Sequence, residues 1–133
     1  MRATDGSMEH PPIMLDGARV IEFAVLDSTA TPTGHVSVVV EGVSLDLSIV
    51  SRLVIAENPV EKGVFLLHCN DRWETVAAGH HDRLEAARAS AQHAYSGVAA
   101  RWTKYRELSA EERAEVEATR AFLREMAAEY PNE

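Results

Sequence analysis

The part of the chain that most constrains its fold is residues 63–102, GVFLLHCNDRWETVAAGHHDRLEAARASAQHAYSGVAARW. Its first half contains short apolar runs separated by turn-forming residues, which is typical of paired β-strands. Its second half places alanine and other apolar residues at helical spacing, which predicts one amphipathic helix. A strand pair followed directly by such a helix favours a fold in which the helix packs on a sheet.

The two strands of this stretch are predicted to form a hairpin. Residues 64–69, VFLLHC, are almost wholly apolar, as expected of a central strand that is buried on both faces. A two-residue loop at residues 70–71 pairs them with residues 73–77 and places His68 opposite Trp73.

The helix that follows has predicted signals at both ends. Asp82 and Glu85 have the spacing of a capping box, in which two side chains satisfy free backbone N–H groups of the first turn. Gly97 is expected to end the helix, since glycine readily adopts the left-handed backbone found after helices. The stripe expected to pack on the sheet consists of Leu84, Ala87, Ala91, Ala94, Tyr95 and Val98.

Two segments upstream also have strand character. Residues 19–26, RVIEFAVL, are rich in β-branched and aromatic residues and are predicted to form the first strand. Residues 35–49 are predicted to form a hairpin whose loop is residues 41–42. This loop places Val40 opposite Val43 and separates apolar from polar side chains along both strands.

The remaining segments are less uniform. Residues 50–57, VSRLVIAE, fit either a strand or a short helix, because eight residues are too few for periodicity to decide. Residues 99–108 form an irregular connector or a short strand. Ser109 and Glu112 form a second predicted capping box, which opens a helix to about residue 130. Its predicted apolar face consists of Val116, Phe122, Leu123, Met126, Ala127 and Tyr130.

Together these segments predict an α+β fold. We expect an antiparallel sheet of about five strands, followed by two C-terminal helices packed on one face. Residues 1–12 are polar, end in two prolines and are predicted to be a flexible N-terminal tail. Residues 13–133 are expected to form a single domain, since this length suffices for one hydrophobic core.

Charge and apolar patterning narrow the classes of partner. The net charge of -8 argues against nucleic acid and against an anionic membrane surface, because both are bound through Lys and Arg. An acidic surface suits a basic protein partner. No apolar run reaches the ~18 residues of a membrane span, and the N-terminus lacks the apolar core of a signal peptide. With Cys69 as its single cysteine, the chain forms no intrachain disulfide, and we expect a cytoplasmic protein.

One cluster of polar residues resembles a site for chemistry. His68 and Cys69 lie one hairpin away from His80 and His81, and these residue types are common zinc ligands. Two adjacent histidines do not readily point at one ion, so no metal and no cofactor is expected here. Cys69 ends an apolar strand in an acidic protein, which favours an inert thiol over a catalytic one.

Aromatic side chains are the other candidates for function, since they often anchor interfaces. Trp73 lies in the middle of a hairpin, which favours a core position, whereas Trp102 fits a core or a groove equally well. The sequence contains no GxGxxG, P-loop, HExxH, GxSxG or EF-hand pattern, so enzymatic activity lacks a motif to support it. The candidate binding residues are His68, Trp73, His80, His81, Trp102 and Tyr105.

The segments FLLHCNDRW and HHDRLEAARASAQHAYSGV, followed by Trp102, resemble a pattern found in small uncharacterised bacterial α+β proteins. Some small acidic proteins of this appearance are immunity factors that inhibit a toxin encoded beside them. The resemblance covers residues 63–102 and implies a protein partner, with no catalytic residues.

Three functional hypotheses follow from these observations. The first is a non-enzymatic interaction module that binds a protein through an acidic face with Trp or Tyr anchors. The alternative is a small-molecule or metal-binding protein or enzyme that uses the cluster of His68, Cys69, His80 and His81. The third is a homodimer that pairs exposed strand edges or terminal helices.

Overall fold

The computed structural model of this chain describes residues 10–26, 39–40, 43–44, 49–95 and 97–129. Its strands are β1 (Met14–Leu15), β2 (Ala18–Val25), β3 (Val39–Val40), β4 (Val43–Ser44), β5 (Arg52–Glu57), β6 (Val64–Cys69), β7 (Thr75–His81) and β8 (Thr103–Lys104). Its helices are α1 (Leu84–Ala94) and α2 (Ala110–Glu129), and a short 3-10 helix spans Val98–Ala100. The antiparallel sheet followed by two helices confirms the predicted α+β class.

The main sheet has the strand order β1-β2-β5-β6-β7, and β8 pairs with β2. Every neighbouring pair is antiparallel. The ambiguous residues 50–57 contain β5, which lies between β2 and β6 and whose four inner residues are fully buried. A strand buried on both faces shows no alternation of polar and apolar residues, which explains why its sequence left helix and strand open.

The predicted hairpin of residues 35–49 lies mostly outside the described residues. Its centre is described, because β3 and β4 pair with Val40 opposite Val43, as predicted. These two strands form a two-stranded sheet of their own.

A β-bulge in β2 sets which side chains point to which face of the sheet. The register with β5 shifts between Val20 and Glu22, so Ile21 is the extra residue. Ile21 packs against the core under α1, and Glu22 binds Arg88 of that helix. Phe23, the next residue, points to the opposite face. We call the side covered by α1 the helix face and the opposite side the second face.

Helix α1 packs on the helix face through the predicted small residues. Ala87, Ala91 and Ala94 are buried against a cluster of sheet side chains. The predicted capping box at its start is wrong, because the helix begins after Arg83, which makes no side-chain capping bond. Asp82 is therefore one residue too early to cap it. The helix ends before Tyr95, and Gly97 follows in the left-handed conformation.

The loop between β6 and β7 is longer than predicted. The side-chain oxygen of Asn70 accepts hydrogen bonds from the backbone N–H groups of Arg72 and Glu74, at 2.9 and 3.0 Å. These bonds close a loop in which Trp73 has a φ of 63°, an unusual value for a bulky residue. The predicted pairing is therefore wrong, and His68 lies opposite residue 77.

Helix α2 begins with the capping box that its sequence predicts. Glu112 accepts a bond from the Ser109 N–H at 2.8 Å, and Ser109 Oγ accepts one from the Glu112 N–H at 3.1 Å. Val116 is buried, but Phe122 and Met126 are 58% and 42% exposed, so the predicted apolar face is wrong for these two residues. Tyr130 lies outside the described residues. Among the described helices, none is long and apolar enough to span a membrane.

Part of the predicted tail packs against the domain. Pro11 is buried, and its carbonyl accepts a hydrogen bond from the Tyr105 hydroxyl at 2.9 Å. The ring of His10 makes an edge contact with Phe23 at 5.6 Å between centroids. Residues 1–9 lie outside the described residues.

The buried carboxylate of Glu22 generates the first testable prediction. Glu22 is 1% exposed and is held by Arg88 through Nε, at 3.0 Å, and through Nη2. Arg88→Ala leaves this charge buried and unpaired. A change of this kind lowers the free energy of unfolding by roughly 3–5 kcal/mol, or by about 2 kcal/mol where water can reach the charge. Because the Arg88 side chain is 39% exposed, we expect the smaller loss in urea unfolding.

Two variants control this experiment. Arg83→Ala removes an exposed arginine of the same region and should change stability by less than about 0.5 kcal/mol. The double variant Glu22→Met with Arg88→Met removes both charges and should recover most of the stability. Equal losses for the two arginine variants would show that the ion pair contributes nothing.

Candidate functional site

The candidate cluster of His68, Cys69, His80 and His81 is divided between the two faces of the sheet. His68 points to the helix face, where its Nδ1 is hydrogen-bonded to the Tyr95 hydroxyl at 2.8 Å. Cys69 is the next residue of β6 and points to the second face, where it is fully buried. The alternation of side chains along a strand therefore separates the two.

The same alternation separates the adjacent histidines of β7. His80 makes an edge contact with the ring of Phe65 and donates from Nε2 to the Lys62 carbonyl at 3.2 Å. His81 pairs with Val64, a residue of the helix-face core. In the part of the chain that the structure describes, no group of three His, Cys, Asp or Glu residues could hold a metal ion.

Burial explains the acid-base state of the two residues of β6. Burial, together with a smaller effect of the charge of His81, lowers the pKa of His68 to about 4. This imidazole is therefore neutral at physiological pH. Burial raises the pKa of the Cys69 thiol to about 11, so the nucleophilic thiolate is absent at neutral pH.

The structure instead brings two of the candidate aromatics together in a cavity of about 710 Å³. This size is within the range of ligand-binding pockets. We call it the aromatic cavity. Its walls come from the N-terminal segment, β2, the β6–β7 loop and the chain around β8, and its lining residues are His10, Pro11, Pro12, Phe23, Arg72, Trp73, Thr103, Lys104, Tyr105 and Arg106.

Three aromatic rings form the apolar wall of the aromatic cavity. Phe23 makes edge contacts with Trp73 and Tyr105, at 5.7 and 6.2 Å between ring centroids. Trp73 is only 4% exposed, which confirms its predicted core position, and its left-handed backbone turns it onto the second face. The hydroxyl of Tyr105 is bonded to Pro11, so this ring is held in place from both sides.

Arg72 and Arg106 are the basic side chains that line the aromatic cavity, in a chain whose net charge is -8. Lys104 also lies at its edge, but it pairs with Glu22 in the register of β8 with β2, so its side chain points to the helix face. Two bonds of 2.8 Å join Arg106 to Glu112, which raises the pKa of Arg106 and lowers that of Glu112. Arg72 is exposed and forms no ion pair with any described residue. The cavity therefore offers one uncompensated cation beside an apolar wall.

The other predicted binding residues lie elsewhere. His68, His81 and Trp102 belong to the helix face, and His80 contacts Phe65 outside the cavity. The indole N–H of Trp102 is buried and has no hydrogen-bond partner among the described residues.

Sequence analysis missed several residues of the aromatic cavity. Phe23 carries no signal, because the bulge that turns it to the second face leaves no local pattern. Arg72 does have a detectable signal, because it directly precedes the candidate aromatic residue Trp73. Comparison of the chain with known protein families, curated proteins and solved structures finds no match to any of them.

The buried His68 predicts a specific pH dependence of stability. The pKa of His68 is about 4 in the folded chain and about 6.5 in an unfolded one. The contribution of the neutral His68 to the free energy of unfolding is therefore complete above pH 6.5 and is lost as the pH falls to 4. A difference of this size corresponds to about 3 kcal/mol. We expect urea unfolding at successive pH values to show this loss, and His68→Gln to remove it.

The free energy of unfolding of His68→Gln is subtracted from that of the unchanged chain at each pH. This difference cancels the effect of the carboxylates that titrate over the same pH range. His80→Gln, which changes an exposed histidine, serves as the control and should retain the full loss. Parallel curves for the unchanged chain and His68→Gln would mean that His68 is not held neutral.

Proposed function

We propose that this protein is a non-enzymatic interaction module that binds an acidic segment of a partner protein in the aromatic cavity. The observation that carries this proposal is the pairing of an aromatic wall with the uncompensated cation Arg72. An apolar side chain of the partner contacts the rings, while a neighbouring carboxylate contacts Arg72. The chain as a whole is acidic, whereas the charged side chains of the cavity attract an acidic segment.

The groups around the aromatic cavity favour binding over catalysis. Nucleophilic catalysis needs a nucleophile hydrogen-bonded to a base, and the described lining residues make no such pair. The Tyr105 hydroxyl donates to the Pro11 carbonyl, and burial raises the pKa of Tyr105, so this phenol stays protonated. The proposed role of these side chains is therefore to supply surface and charge.

The expected affinity for a short segment is modest. One aromatic side chain that is fully buried contributes about 2–3 kcal/mol, and each ion pair at an exposed rim contributes about 0.5 kcal/mol. Together with further contacts along the segment, this gives dissociation constants on the order of 100 μM. A whole partner protein that buries more surface binds more tightly than the isolated segment.

The proposal changes one part of the sequence-based hypothesis. That hypothesis places the aromatic anchors on an acidic face, whereas Trp73 and Tyr105 lie beside basic residues. The acidic residues are therefore assigned to the partner. An immunity-type role stays a prediction, which a toxin gene in the neighbouring reading frame would support.

Two peptides of opposite charge test the proposed function. The acidic probe is acetyl-Glu-Glu-Trp-Glu-Glu-amide, and the basic probe replaces each Glu with Lys. In NMR titrations of the full chain, we expect the acidic probe to shift the signals of Trp73 and Arg72, and the basic probe to leave them unchanged. The charge on the rim and the apolar wall together predict this difference.

Variants of the rim identify the site. Arg72→Glu combined with Thr103→Glu should weaken binding of the acidic peptide at least tenfold, since one attraction becomes a repulsion and a second carboxylate is added to the rim. Arg83→Glu changes an exposed arginine outside the cavity and should leave the dissociation constant within twofold. Equal binding of the two peptides, or equal effects of the two sets of variants, would contradict the proposed function.

A further inference from the structure

Helix α2 separates its charges between two opposite sides. Two of its three arginines bond to distant parts of the domain, and the third bonds to the segment just before the helix. Arg113 donates to the Leu108 carbonyl at 2.7 Å, and Arg124 donates to the Pro59 carbonyl at 3.0 Å. Arg120 is paired with Glu57 of β5. Because residues of a helix follow each other at about 100°, these three arginines lie along one line on the inner side.

The opposite side of α2 carries acidic residues and two large apolar side chains. Phe122 and Met126 are one helical turn apart and exposed, so neither is buried by the described domain. The carboxylates on the same side are also exposed and form no ion pair with a described residue. We call this surface the acidic ridge, and its residues are Glu111, Glu115, Phe122, Glu125, Met126 and Glu129.

We infer that the acidic ridge of one copy of this protein docks in the aromatic cavity of a second copy. The inference rests on the proposed function and names the acidic segment that the cavity binds. Phe122 and Met126 supply apolar side chains for the wall of Phe23, Trp73 and Tyr105. The flanking carboxylates of the ridge face the cations at the rim of the cavity.

The apolar side chains of the ridge cannot reach the cavity of their own chain. The ion pair between Arg106 and Glu112 joins the rim of the cavity to the first turn of α2. Phe122 lies ten residues further along the helix, which is about 15 Å at 1.5 Å per residue. Since α2 is also tied to the domain through Arg120 and Arg124, it cannot fold back. Contact between ridge and cavity therefore requires two molecules.

Other ways of pairing two copies are less favourable. Two ridges packed together would bring four carboxylates from each copy into one interface, without a compensating cation. The ridge and the cavity instead have opposite charge. The net charge of -8 on each copy repels the other at a distance, but at physiological ionic strength this repulsion is screened beyond about 8 Å, whereas close pairs persist.

The experiment uses the full chain and two variants. Arg72→Glu with Thr103→Glu disables the cavity, and Phe122→Ser with Met126→Ser disables the ridge; all four side chains are exposed, so folding should be retained. Sedimentation velocity over a range of concentrations should show reversible association of the unchanged chain. Each variant alone should associate at least tenfold more weakly.

Mixing the two variants distinguishes this interface from any other. The cavity variant keeps an intact ridge, and the ridge variant keeps an intact cavity. An equimolar mixture of the two should therefore form a heterodimer. Val60→Ser removes an exposed apolar side chain outside both surfaces and should leave association unchanged. The acidic peptide should compete with association, because it occupies the same cavity.

The outcomes separate this inference from the proposed function. A chain that stays monomeric at all concentrations but binds the acidic peptide overturns the inference and leaves the function standing. Association that survives both double variants assigns the dimer to another surface and also overturns the inference. If the acidic peptide fails to bind, the proposed function is wrong as well.

Discussion

The bulge at Ile21 is the constraint on which the rest of the structure depends. Along an unbroken strand, the side chains of Glu22 and Phe23 would each point to the other face of the sheet. A carboxylate would then lie in the apolar second face, and the phenylalanine would lie under α1. With the extra residue, Glu22 meets Arg88, and Phe23 joins Trp73 and Tyr105. One inserted residue thus produces both the helix contact and the aromatic wall.

The features that sequence predicts well are those whose cause is local. The apolar run of β6, the alanine stripe of α1 and the Ser109–Glu112 box all depend on neighbouring residues, and all three are present. The aromatic cavity could not be predicted in this way, because its residues come from four separate segments of the chain. The register between β6 and β7 could also not be predicted, because the loop after Asn70 is longer than its sequence suggests and changes the residue opposite His68.

Helix α2 shows a second limit of sequence patterns. Helical spacing identifies a stripe of apolar residues but does not say whether arginines or apolar side chains face the domain. In this helix, Arg113, Arg120 and Arg124 lie inward, because their long stems reach backbone carbonyls and the Glu57 carboxylate. The inner side is thus held by polar bonds and by the buried Val116, and the large apolar residues of the opposite side are left outside.

The positions of the two tryptophans have a practical consequence for spectroscopy. The chain contains only Trp73 and Trp102, and the sheet separates them, one at the aromatic cavity and one in the core under α1. Replacing Trp102 with phenylalanine leaves a single fluorophore on the second face, and replacing Trp73 leaves one on the helix face. Intrinsic fluorescence can therefore follow the two layers of this small domain separately, without an attached dye.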